Sequence, residues 1–247
     1  MRHCARAVLA IATLLACVAT LATLALPTAA AASTGTDTPA SRAATGTSDP
    51  GLTLSANAPA VQFGAQLTLT GHLSVPGAAV TLSRRTSADA DFVVVQTLTA
   101  DATGTVIWSS QPQVSATYRL DFAGDATWAP AQAEVAVGVM PIVSLDARSP
   151  KPLFAGDRVT FHVVVAPVRP GAVVDLQRRD GDAWVTFMSV TLDANSRASG
   201  HWAADPTMRV SVRASLAADA DYSETSSDAL RMFVNPLNAH RVPYHYR

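Results

Sequence analysis

Of the residues that could do chemistry, three groups repeat along the chain. Two arginine pairs, Arg84-Arg85 and Arg178-Arg179, stand 94 residues apart at the ends of alternating apolar segments. Three Asp-x-Asp pairs, Asp89/Asp91, Asp180/Asp182 and Asp219/Asp221, fall at turn-like positions. Calcium favours clustered carboxylates of this kind, but no full Asp-x-Asp-x-Asp-Gly ligand run is present and Asp is a common turn residue, so turn capping is the simpler reading. The six histidines show no His-x-His or His-x-x-x-His spacing, and His72 and His162 fall within strand-like runs as ordinary sheet positions. No Gly-x-Ser-x-Gly elbow, phosphate loop or dinucleotide fingerprint occurs, which points away from an enzyme and from a bound cofactor. The only lysine, Lys151, could form an intramolecular isopeptide bond with Asn235 in the second half; the first half has no lysine for one.

The elements that position these groups are written twice. Pro76 to Arg85 reads PGAAVTLSRR and Pro170 to Arg179 reads PGAVVDLQRR. Trp108 overlays Trp202 and Pro112 overlays Pro206 at the same spacing, while Gly64 overlays Gly156 and Asp101 overlays Asp193 at a spacing of 92. Near the end of each unit Arg119 aligns with Arg213, Asp125 with Asp219 and Trp128 with Tyr222. Within each unit apolar residues alternate in short runs, such as Val80-Thr-Leu82 and Tyr118-Arg-Leu-Asp-Phe122, separated by Gly and Pro turns. Period-two runs of this length are half-buried strands, and seven in roughly 90 residues predict an immunoglobulin-like sandwich. The expected architecture is all-β, two tandem sandwiches over residues 51–140 and 141–235.

In such a strand Val80, Leu82 and Arg84 share one face, which puts Arg84 where core meets rim and points Arg85 outward. An arginine there can lay its stem on apolar surface and its guanidinium on an aromatic ring, with Phe92 and Trp184 in the following strands as partners. Recognition of an anion or glycan is the alternative for Arg84, Arg85, Arg178 and Arg179. Beyond the second unit, residues 236–247 carry Tyr244 and Tyr246 among histidines and arginines, a composition suited to an interface or to a frayed end.

Residues 1–32 have the form of a secretory signal peptide: Arg2 and Arg6, an apolar run from Ala7 to Leu26, then Ala30-Ala31-Ala32 at the expected cut. An uncleaved anchor is the rival reading, since the run is long enough to span a bilayer. A lipoprotein signal at Cys17 is another, opposed by the apolar residues that follow it. Cleavage after Ala32 removes Cys4 and Cys17, leaving no disulfide and no stable membrane span, and 16 basic residues against 19 acidic. That balance gives no electrostatic pull toward nucleic acid. Residues 33–50 lack large apolar side chains and are expected to form a flexible tether.

The succession Pro-Gly-Ala-x-Val-x-Leu-x-Arg-Arg, Asp-x-x-Gly before a Trp strand, then Tyr-Arg-x-x-Phe-x-Gly-Asp-x-x-Trp-x-Pro-Ala resembles the bacterial Ig-like repeat domains of secreted actinobacterial proteins. In the second copy Val212 replaces Tyr118 and Ala218 replaces Gly124, which predicts a looser turn there. The resemblance implies an extracellular, non-enzymatic module used as spacer, stalk or adhesive surface. Its partner would be an extracellular protein or cell-wall glycan; a role as accessory or inhibitor of a separate secreted enzyme is the alternative.

Overall fold

A computed structural model describes residues 48–205 and 209–236. The expected leader, most of the expected tether, and the tail with Tyr244 and Tyr246 lie outside the described residues, as does Pro206. Every element within them is a β-strand, and no helix there is long and apolar enough to cross a membrane.

The first half forms strands β1 (Thr53–Ala56), β2 (Ala60–Gln62), β3 (Leu67–His72), β4 (Ala79–Thr86), β5 (Val93–Thr99), β6 (Thr105–Ser110), β7 (Ala116–Phe122) and β8 (Ala131–Met140). They assemble as a three-stranded sheet, β1-β3-β6, facing a five-stranded sheet, β2-β8-β7-β4-β5. All pairings are antiparallel except β2 with β8, where Ala60, Val61 and Gln62 run parallel beside Gly138, Val139 and Met140. The second half repeats the plan with β9 (Ile142–Arg148), β10 (Arg158–Ala166), β11 (Val173–Asp180), β12 (Ala183–Thr191), β13 (Arg197–Ala203), β14 (Arg209–Leu216), β15 (Thr225–Ser226) and β16 (Leu230–Phe233). Its sheets run β13-β10-β9 and β12-β11-β14-β15, with β16 also on β14. Two facing antiparallel sheets with this strand order make each half an immunoglobulin-like sandwich.

Alternation explains the cores. In β7 Ala116, Tyr118, Leu120 and Phe122 turn inward, in β14 Val210, Val212, Ala214 and Leu216 do, and the intervening residues stay partly exposed. Leu67, Leu69, Leu73, Val80, Leu82 and Val139 complete the first core; Val159, Phe161, Val163, Val174 and Leu176 anchor the second. No disulfide holds either sheet pair, so burying apolar area at about 25 cal/mol per Å² is the main stabilising term.

Two turns of the first sandwich place glycine at positive φ. Gly104 has φ +78° in the turn before β6, where its N–H donates to the Asp101 carbonyl and its carbonyl accepts from Leu73 N–H; a Cβ would overlap the Leu73 carbonyl. Gly124 has φ +79° in the turn after β7, with Pro130 and the Trp128 carbonyl packed against it. In the second sandwich Ala218 takes that place, yet the turn is as tightly bonded. Asp125 Oδ1 accepts from the N–H groups of Thr127 and Trp128 at 2.7 and 2.8 Å, and Asp219 Oδ1 accepts from Asp221 and Tyr222 at 2.9 Å each. The expected loosening does not occur, because the aspartate cap rather than the glycine closes the turn.

Only Pro141, itself buried, separates β8 from β9, so the connection has no slack.

Candidate functional site

The arginine pairs occupy equivalent strand ends, and the structure gives their members different partners. Arg84 is exposed and in register with Tyr118, a fully buried phenol. Burial pushes the Tyr118 pKa above 10.0, opposed by the Arg84 charge and a hydrogen bond with Ser110. Phe92 is reached from the outward positions: Arg85 and Arg119 place their guanidinium carbons 4.7 and 4.1 Å from its ring centroid. Arg119 is held by Asp121 at 2.9 Å. Arg85, not the core-side Arg84, is therefore the member of the pair that covers Phe92.

In the second sandwich Arg178 pairs with Asp205, and Arg179 bonds the Gly181 carbonyl and Asp182. Trp184 is covered instead by Arg213, 4.5 Å from its centroid, with Arg213 Nε donating to Gln177 Oε1 at 2.9 Å. Arg178 does not cover this ring: Trp184 on β12 is in register with Arg179 of β11, and it is Arg213, in register with Gln177 on the other side of β11, whose guanidinium reaches across to it. Arg119 and Arg213 were the missed residues, although their sequence alignment and their place between inward residues of β7 and β14 were the signal. Each sandwich thus carries one arginine-covered aromatic on its outer face, worth about 0.5–1 kcal/mol at an exposed site.

Of the acidic pairs, Asp89, Asp182 and Asp219 make bonds within their own turns, and Asp221 reaches the other sandwich. Asp89 Oδ2 accepts from Thr86 Oγ1 and N, and these bonds hold its carboxyl below the usual 3.8. Among the described residues no group of three or more His, Cys, Asp or Glu is placed to hold a metal. His72 and His162 sit in β3 and β10, and His201 Nδ1 lies 3.1 Å from Thr160 Oγ1. The Asn235 amide donates to the Leu153 carbonyl at 3.0 Å, a use that competes with any bond to Lys151.

A feature not anticipated from sequence is the junction between the sandwiches. The loop Ala218–Ser223 of the second reaches onto the adjoining end of the first, beside the Met140 terminus of β8. Ser115 N–H donates to the Asp221 carbonyl at 2.7 Å and Ser223 N–H to the Val139 carbonyl at 2.9 Å. Asp221 Oδ1 accepts from Ser87 Oγ. Tyr222 packs on the first sandwich's core, while the Arg169 guanidinium, itself paired with Asp219, sits 4.5 Å from its ring. Its repeat equivalent Trp128 packs on that same first core, so the two aromatics serve one core from different sandwiches. Gly138 makes the approach possible, since a Cβ there would overlap Ser223 Oγ and press on Ala60. Beside this contact is an open cleft of about 440 Å³, lined in part by Arg85, Thr86, Ser115, Gly138, Asp219 and Tyr222. Arg85 therefore belongs to both the outer-face cluster and the junction.

No protein-family model matches the chain. No curated protein matches it. Among solved structures it is similar to a tetra-tandem repeat in the extending region of a large adhesion protein, at 18% identity and TM-score 0.35, covering 74% of this chain and 49% of that one. It is also similar to a cytokine receptor complex at 14% identity and TM-score 0.39, covering 73% and 95%, and to a marsupial T cell receptor at 13% and 0.31, covering 75% and 73%. The chain spans about half the length of the adhesion-protein structure.

Proposed function

We propose that this chain is a non-enzymatic spacer and binding module of an exported protein of the secreted actinobacterial Ig-like type, delivered by the leader over residues 1–32 and working at the cell surface. The observation that carries the reading is the junction: a one-residue connection plus the Tyr222 contact makes two sandwiches one stiff unit. Stiffness serves a stalk or a presented surface, since it lets distant faces keep a fixed separation. The polar strand-end arginines Arg84, Arg85, Arg178 and Arg179 and the covered aromatics Phe92 and Trp184 are the contact positions, chemistry suited to a cell-wall glycan or an extracellular protein.

Affinity capture from culture supernatant and from wall fractions, with the intact chain as bait, tests this. Retention on wall polymer, weakened by Phe92→Ala with Trp184→Ala, is the expected result. Stoichiometric recovery of one secreted enzyme whose activity changes on binding would replace this function with that of an accessory or inhibitory partner.

A further inference from the structure

The receptor that holds the second sandwich recurs in part, with Phe233 beside Arg209 where the first sandwich has Gly138 beside Ser115. Shifting Arg85, Thr86, Ser115 and Ala116 by 94 residues gives Arg179, Asp180, Arg209 and Val210. These four, with Arg178, line a separate open cleft of about 150 Å³ at the corresponding end of the second sandwich. In the first sandwich that position takes the loop Ala218–Ser223. In the second, no described residue fills it.

The inserting loop recurs as well. Asp125–Ala129 has the same aspartate-capped turn as Asp219–Ser223, down to the Asp125 N–H to Trp128 carbonyl bond at 2.9 Å and the Asp219 N–H to Tyr222 carbonyl bond at 3.0 Å. The backbone groups that grip the neighbour also correspond. Where the Asp221 carbonyl and Ser223 N–H bond the first sandwich, the Thr127 carbonyl and Ala129 N–H are closed off by one residue, Ser48, at 3.3 and 2.9 Å. Arg169, which occupies Asp219, has Val75 as its counterpart, so Asp125 has no ion-pair partner among the described residues. The loop end exposes Asp49 and Asp125, and the cleft end exposes Arg179 and Arg209, of which Arg209 has no acidic partner among the described residues.

We propose that a second copy of this chain docks end to end, its Gly124–Ala129 loop entering the Arg179–Arg209 cleft and Ser48 giving way to the contact. The two surfaces lie at different places on the molecule, so the association is heterologous and extends into open chains rather than closing as a symmetric dimer. Opposite charge at the two ends sets register and makes the association sensitive to salt.

Sedimentation of the full chain over a wide concentration range at low salt reads this directly. The expected result is a sedimentation coefficient that rises steadily with concentration and falls back in high salt. Asp125→Arg and Arg209→Asp should each weaken association at least tenfold. An equimolar mixture of the two variants should regain growth with concentration, because both hetero pairings of ends bring opposite charges together while each variant repels its own kind. Deletion of residues through Ser48 should strengthen association. A wild-type chain that stays monomeric throughout, variants that associate like wild type, or a mixture that does not regain growth would each overturn the proposal. So would association that appears only after deletion of residues 237–247, which would make the tail the natural occupant of the cleft.

Discussion

Replacing Tyr222 with alanine should destabilise the sandwich to which Tyr222 does not belong. Fully buried aromatics cost about 3–5 kcal/mol when cut to alanine. Tyr222 is half-buried, so roughly half of that, ~2 kcal/mol, is expected from packing, plus ~0.5–1 kcal/mol for the Arg169 contact. The packing part falls on the first core, which Tyr222 contacts, and the two backbone bonds at Ser115 and Val139 remain. Each sandwich reports on itself through two tryptophans, Trp108 and Trp128 in the first and Trp184 and Trp202 in the second, separable by Trp→Phe exchange. In urea unfolding the transition seen by Trp108 and Trp128 should move down by ~1–2 M, given the usual denaturant dependence of a domain this size, while that seen by Trp184 and Trp202 moves by less than ~0.5 M. A loss confined to the second sandwich, or no loss in either, would refute the shared-core reasoning.

Two further perturbations follow from local geometry. Gly104→Ala combines a φ of +78° with a Cβ placed on the Leu73 carbonyl, so calorimetry should show the first sandwich losing at least ~2–3 kcal/mol, more than ~10 °C in Tm. Asp101 is held below its usual 3.8 by the Thr103 hydroxyl first, then by the backbone N–H groups of Thr105 and Thr103, then by the charge of His72. Its contribution is therefore complete above pH ~4 and is lost as pH falls through the lowered folded value. Asp101→Asn should flatten the acid limb of the stability curve below pH ~4 and leave the slope at neutral pH unchanged; an acid limb as steep as wild type would remove this assignment.

The strands that alternate strongly were legible from the residues alone, because in β3, β7, β10 and β14 every second side chain is apolar and buried. Strand β2 was not legible: of Ala60-Val61-Gln62 only Val61 is buried, and three residues offer no period. Strand β15, Thr225–Ser226, has no apolar residue at all. The outward parity of Arg85 was correct, but its meeting with Arg119 over Phe92 depends on which side chains of separate strands lie together, and spacing along one strand carries no such information. The junction was hidden for a similar reason. Alignment of Trp128 with Tyr222 shows one turn used twice, whereas which core each ring enters is decided by the short Met140-Pro141 connection and by the space left at Gly138.

The parallel strand pair in the first sandwich, β2 with β8, bears on how such a module carries tension. Pulling the chain from both ends draws β2 and β8 past each other along their length, so the rungs at Ala60, Val61 and Gln62 are sheared together rather than opened one after another. The second sandwich has only an isolated parallel bridge, Phe154 with Asn235, in the corresponding place. Under a steady load it is the second sandwich that yields first, and the first remains as the last folded link.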